Sequence, residues 1–152
     1  MHSIASLDDL RALCAAPAVV SEYFPIGQGA IDTFAELTHD RQWIYVDPER
    51  AAADSPYGCT VAHAFLILSM VSAAFGQCFA FPGRKLALNY GFDRLRFTGP
   101  VPAGARVRGA FTLQQLDDVR PGEVRCHWKV EMQVEGSERP AMVAIWLVQM
   151  RF

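Results

Sequence analysis

The chain has 152 residues, 51% of them apolar and 20% charged, with a formal net charge of −2 and a pI near 6.0. A chain of this size buries roughly two-thirds of its unfolded surface, so one domain spanning residues 1–152 is expected to fold without disulfide or metal staples. The near-neutral charge excludes the basic footprint of a nucleic-acid binder and gives no attraction to an anionic membrane surface.

Met1 to Leu13 carries Asp8, Asp9 and Arg11 without an apolar run, which is not the pattern of a signal peptide. Ser6 caps a short helix whose first turn holds the two aspartates, and Pro17 closes it. Val19 to Ile26 reads as a strand, and Gly27-Gln28-Gly29 as a turn. A helix follows over Ile31 to Leu37, with Ile31, Phe34, Ala35 and Leu37 apolar and Asp32 and Glu36 facing water. Asp47-Pro48 is a helix start, cap then first helical residue, leading into Ala51-Ala52-Ala53. After a turn at Ser55 to Gly58, Thr60 to Phe75 is apolar nearly all the way round and predicts an enclosed helix stopped by Gly76.

From Leu86 the period becomes two. Leu88, Tyr90 and Phe92 alternate, then Leu95 and Phe97 continue in the opposite phase, which predicts a bulge near Gly91. Arg106 to Gln114 is a second strand. Val124 to Val134 alternates fully, with Val124, Cys126, Trp128, Val130, Met132 and Val134 on one face. Ala141 to Val148 is apolar without alternation, as in a central strand covered on both faces. A buried helix followed by an antiparallel meander makes the class α+β, a sheet curled around a helix.

Cys14, Cys59, Cys78 and Cys126 form no C-x-x-C pair and lie in apolar neighbourhoods, so they read as buried free thiols. No His/Cys cluster has metal-ligand spacing, and neither metal nor cofactor is expected. The longest apolar run, Val61 to Phe75, is shorter than the roughly 20 residues of a membrane span. Reduced thiols and no leader predict a cytoplasmic protein. Trp43, Trp128 and Trp146 read as core or interface residues.

The stretch Thr38 to Asp47 holds more polar chemistry than a fold needs. On spacing alone, Asp40 reads first as a solvated turn residue after a helix. The Trp43-Ile44 step behind it supplies a second reading, a carboxylate against apolar walls acting as general base.

Thr38-His39-Asp40-Arg41-Gln42-Trp43-Ile44-Tyr45-Val46-Asp47-Pro48-Glu49-Arg50-Ala51 resembles the T-G-D-x-x-W-I-H-x-D-P-E-R-A segment of the MaoC-like, R-specific enoyl-CoA hydratases, which have the hot-dog fold. Tyr57 to Leu66 is similar to that family's F-G-x-T-I-A-H-G-F-L, Leu88 to Phe97 to its I-N-Y-G-x-x-K-V-R-F, and Pro100 to Arg108 to its P-V-P-V-G-S-R-V-R. The resemblance implies an antiparallel sheet wrapped around a long buried helix, and protomers that pair through their sheets as a homodimer. It implies hydration of an enoyl thioester, or dehydration of the (R)-3-hydroxyacyl product, on coenzyme A or a carrier protein. An aspartate and a histidine would activate one water, and an N–H at the start of the central helix would polarise the thioester carbonyl.

Matched residue by residue, Asp40 keeps the aspartate. The histidine falls on Tyr45, the glycine before the aspartate on His39, and the glycine after the helix histidine on Ala64. A phenol with a pKa near 10 is neutral at pH 7 and accepts protons poorly, whereas imidazole shuttles them. Asp40 is then the base, and Tyr45 orients water or donates a proton. His39 is a third catalytic candidate, although in an extended segment its side chain points opposite to that of Asp40. His63, Ala64 and Asn89 are the candidate substrate-binding residues. His63 reads first as a core histidine bonded to backbone or carboxylate, and Asn89 as a structural amide. Arg84-Lys85 is either a contact for coenzyme A phosphates or a solvated loop.

Three readings follow. The first is a hydratase/dehydratase of acyl thioesters. In the second, the same scaffold uses Asp40 and Tyr45 for isomerisation, cyclisation or elimination on a polyketide-like substrate. The third is a catalytically silent module that binds an acyl ligand or a partner subunit.

Overall fold

The computed structural model describes residues 1–152 apart from the side chain of Ala15. In chain order the elements are β1 (His2–Ser3), α1 (Leu7–Ala12), β2 (Val19–Val20), β3 (Phe24–Pro25), α2 (Gln28–Thr38), α3 (Trp43–Val46), α4 (Pro48–Asp54), α5 (Ala64–Ser69), α6 (Val71–Cys78), β4 (Phe79–Ala80), β5 (Leu86–Phe97), β6 (Arg106–Arg120), β7 (Glu123–Val134) and β8 (Met142–Arg151). A 3-10 turn, Leu13–Ala15, follows α1.

The full alternation over Val124 to Val134 has its predicted consequence, because only one face of β7 is buried. β7 lies between β6 and β8 in an antiparallel sheet ordered β2-β6-β7-β8-β5, with β3 also on β6. Trp128 of β7 pairs with Trp146 of β8. Both indoles meet Phe75 of α6 edge-on, at 4.9 and 5.2 Å between ring centroids. Phe111 of β6 meets the same ring at 5.2 Å. Burying an aromatic ring of this size stabilises by about 1.5–3 kcal/mol, so Phe75 is the pin between helix and sheet. Gly109 permits the contact, since a Cβ there would lie 2.8 Å from the Ala74 Cβ and 2.6 Å from the Phe111 ring. The result is the hot-dog arrangement, a curled sheet holding a helix.

Several boundaries differ from the sequence reading. Val19 to Ile26 is two short strands, because Ser21 leaves the ladder to bond Gly109 with both its backbone N–H and its hydroxyl. α2 starts at Gln28 with Gly27 as its cap, and Leu37 is 78% exposed. Ile31 and Ala35 define the buried face, and Leu37 lies about 200° round the helix from Ala35. The helix expected over Thr60 to Phe75 begins only at Ala64, bends at Met70 and runs through Gly76 to Cys78. It is not enclosed all round either: Phe65 is 64% exposed, and Ser69, Ser72 and Ala73 also face outward. β6 extends six residues beyond Gln114, to Arg120. β5 has the bulge at Gly91 and a second irregularity between Asp93 and Arg96, where Arg94 has φ 54°. Cys78 and Cys126 are buried, but Cys14 is exposed and Cys59 half-buried. Trp43 is half-buried under the Arg50 guanidinium, 4.6 Å from its ring, rather than in the core.

Candidate active site

α2 carries the chain to the site and His39 ends it. Thr38 turns its hydroxyl back onto the Phe34 carbonyl at 2.7 Å, and His39 takes the left-handed conformation, φ 58° and ψ 17°. Histidine is among the few non-glycine residues that adopt this region with some frequency, and here it occupies the position where the matched motif has glycine. The left-handed residue reverses the chain so that Asp40 comes back towards the start of α5. The segment is therefore not extended, as alternation of His39 and Asp40 had required. The His39 side chain is exposed, on the surface at the end of α2.

Asp40 is half-buried, and its backbone carbonyl accepts a hydrogen bond from Nε2–H of His63 at 2.8 Å. Gln42 Nε2 reaches Asp40 Oδ1 at 3.4 Å. The one-turn helix α3 then presents Tyr45, whose ring stacks on the His63 imidazole with centroids 3.8 Å apart and planes 29° apart. Phe34 closes the other side of His63 at 5.1 Å. His63 is 2% exposed, which bears out its reading as a core histidine bonded to backbone. Burial raises the proton affinity of the Tyr45 phenol, and the negative charge of Asp40 raises it further. The phenol is thus neutral at pH 7, a donor beside a carboxylate.

Three elements are tied together by Gln28, which the sequence reading left in a turn. Its Nε2 donates to the Tyr45 carbonyl at 2.7 Å and to Asp32 Oδ1 at 2.8 Å, and its Oε1 accepts from the buried Thr60 hydroxyl at 2.5 Å. The segment Thr60 to Ala62 is held extended by bonds from Val61 N–H to the Ile44 carbonyl, from Ala62 N–H to Val101, and from Ala103 N–H to Thr60. These bonds delay the helix until Ala64. The first N–H groups of a helix have no intrahelical acceptor, so that of Ala64 is available to a ligand.

Tyr45 and Ala64 line the same cleft, with a volume of about 470 Å³ and apolar walls from Tyr57, Ile67, Phe97 and Val101. Asn89 is elsewhere. It lines two grooves of about 320 Å³ each, between β5 and the central helix, which share no lining residue with the cleft. Arg84 lines one of those grooves, its guanidinium 4.8 Å from the Phe81 ring, and Lys85 is exposed. Among the described residues no group of three or more His, Cys, Asp or Glu could hold a metal ion. No helix is long and apolar enough to cross a membrane.

Residues 15–135 match the MaoC-like domain. 3-Hydroxyacyl-thioester dehydratase Z of Mycobacterium tuberculosis is 40% identical over 149 residues, covering 98% of this chain and 98% of that protein. Nodulation protein N of Rhizobium meliloti is 39% identical over 153 residues, covering 100% and 94%. Among solved structures, the (R)-hydratase from A. caviae involved in PHA biosynthesis superposes with a TM-score of 0.71 at 23% identity, over 86% of this chain and 92% of that one. With the family's helix-in-sheet architecture and its motif blocks in order along one polypeptide, the chain belongs to the MaoC-like dehydratase domain family.

Proposed function

We propose that the protein is a hydratase/dehydratase acting on an enoyl or (R)-3-hydroxyacyl thioester of coenzyme A or a carrier protein. The observation that carries this reading is Tyr45 on a cleft that Ala64 also lines, with the half-buried Asp40 tied beside it through the His63 imidazole, which bonds the Asp40 carbonyl and stacks on the Tyr45 ring. The mycobacterial relative, a 3-hydroxyacyl-thioester dehydratase by name, supports the substrate class.

In the dehydration direction Asp40 takes a proton from C2, and the electron pair moves into the thioester carbonyl, stabilised by the Ala64 N–H. The enolate then re-forms the C2–C3 double bond and expels the C3 hydroxyl, which leaves as water with the proton of Tyr45. Transfer of the C2 proton from Asp40 to the phenolate through water restores both groups. Hydration is the same path reversed. In either direction Asp40 accepts the first proton and Tyr45 accepts one only as the phenolate formed during the cycle, because the Tyr45 phenol only donates at neutral pH.

The decisive assay is loss of enoyl absorbance with crotonyl-CoA for the native protein, Asp40→Asn and Tyr45→His. Native turnover that Asp40→Asn lowers by about 10²- to 10⁴-fold is the expected result. Tyr45→His should hydrate faster, by about 10²-fold, because a general acid–base partner is typically worth that much or more. Native turnover undiminished in Asp40→Asn would overturn the assignment.

A homodimer belongs to the same reading, supported by the free edge of β5. Leu86, Leu88, Tyr90 and Phe97 are exposed along it, and Phe65 from α5 lies 5.9 Å from Phe97. An unpaired strand edge with apolar side chains is a template for a second copy. Phe97 also lines the cleft, so a partner there would wall the substrate in. The setting proposed is the cytoplasm, where free thiols stay reduced.

A further inference from the structure

His63 meets both members of the proposed pair. Its Nε2–H holds the Asp40 carbonyl at 2.8 Å, its ring carries the Tyr45 ring at 3.8 Å, and its own backbone caps the helix that begins with Ala64. The other ring nitrogen, Nδ1, is buried and has no hydrogen-bond partner among the described residues. Donation to a carbonyl requires the proton on Nε2, and Nδ1 is left without a partner in an aromatic enclosure with Phe34 and Tyr45. Leaving a buried polar atom unmatched costs free energy that phenylalanine at this place would avoid. A side chain kept at such a cost is explained by the bond that its other nitrogen makes.

We propose that His63 is the positioning residue of the site: its Nε2–H fixes the Asp40 backbone while its ring fixes Tyr45, so that carboxylate and phenol face one substrate atom pair. It is assigned no contact with substrate, because it is 2% exposed and packed against the rings of Phe34 and Tyr45. The role assigned from the motif as substrate-binding is replaced by one of alignment. The connection spans 23 residues, from the turn after α2 to the start of α5, so a single side chain sets the register of two segments that share no ladder. Misalignment of reacting groups by about 1 Å can cost 10²-fold in rate, which is the scale of effect expected.

The inference rests on Asp40 and Tyr45 as the working pair, and the test separates the two. His63→Phe keeps ring and stack but deletes the N–H. With crotonyl-CoA it is expected to lose about 10- to 100-fold in kcat with KM within about twofold. In an Asp40→Asn background the same change should cost less than about twofold further, because the aligned group is already gone. A raised KM with unchanged kcat, or losses that multiply in full, would overturn the proposal. His63→Gln keeps an N–H of similar reach without the stack. With one of the two contacts restored and the other lost, it should keep part of native kcat, and a folded His63→Gln with native kcat, or one as impaired as Asp40→Asn, would also overturn it.

A second readout needs no turnover. Alkaline absorbance titration at about 295 nm, taken as native minus Tyr45→Phe, follows the phenol alone. Its midpoint, above the ordinary value of about 10 in the native protein, should fall in His63→Phe as Asp40 moves away. An unmoved midpoint counts against His63 even if the native protein proves inert towards thioesters, an outcome that would sink only the proposed function.

Discussion

Tyr45 differs from a histidine at pH 7 chiefly in holding its proton. Burial and then the Asp40 charge strengthen that hold, so the phenol acts as donor over the whole physiological range. Two pH effects follow. Activity that needs the phenol proton should persist to about pH 10 and fall only above it, and kcat measured against pH in native and Asp40→Asn protein checks this. In stability the sign is fixed by the raised folded-state pKa. The contribution is fully present below the unfolded value near 10 and is lost as pH rises through the higher folded value. Tm should therefore fall more steeply above pH 10 in the native protein than in Tyr45→Phe. From sequence, Asp40, Tyr45 and a backbone-bonded core His63 could be picked out, but not that His63 bonds Asp40 and stacks on Tyr45. The bond from His63 to Asp40 joins positions 23 apart, and neither residue type advertises such a partner.

At the scale of elements, the best-read segments were those whose signal is local. Asp47-Pro48 does cap α4, with the Asp47 carboxylate accepting from Arg50 N–H at 3.0 Å, and the phase change near Gly91 is a bulge. The apolar run from Thr60 gave no sign of its late start, because Ile44, Val101 and Ala103, which hold its first residues extended, belong to distant segments. The sequence predicts a stop at Gly76, yet this residue sits inside α6 on an exposed side with open space around it. The role of Gln28 was hidden for the same reason as the partners of His63, since Tyr45 and Thr60 lie 17 and 32 residues away. Gln28→Leu should leave the buried Thr60 hydroxyl unpaired, costing about 1–3 kcal/mol in urea unfolding, and should lower kcat by loosening α3. Unchanged stability and rate in that variant would remove Gln28 from the site.

For the whole molecule, the exposed apolar patch on β5 and α5 is what the single chain leaves unfinished. Leu88→Lys places a charge on that edge, a device that natural sheets use against pairing. Sedimentation should report a dimer for the native protein and a monomer for this variant, with little change in the far-UV spectrum. A native monomer would dismiss the proposed pairing.

The order in which strands find partners bears on how the chain is made. β1 waits for β4, pairing His2 with Phe79, and β2 and β3 wait for β6, pairing Val19 with Phe111 and Phe24 with Val107. A ribosome delivers residues from the N-terminus, so β1 has no neighbour until about half of the polypeptide has emerged, and β2 and β3 have none until more than two-thirds has. Phe75, too, leaves the tunnel well before Trp128 and Trp146, the rings that will enclose it. The nascent chain thus carries its central aromatic bare for much of its synthesis, and the dependence on distant pairing makes folding late and slow. Newly made copies of this protein should therefore aggregate more readily than the finished fold while that apolar helix is uncovered.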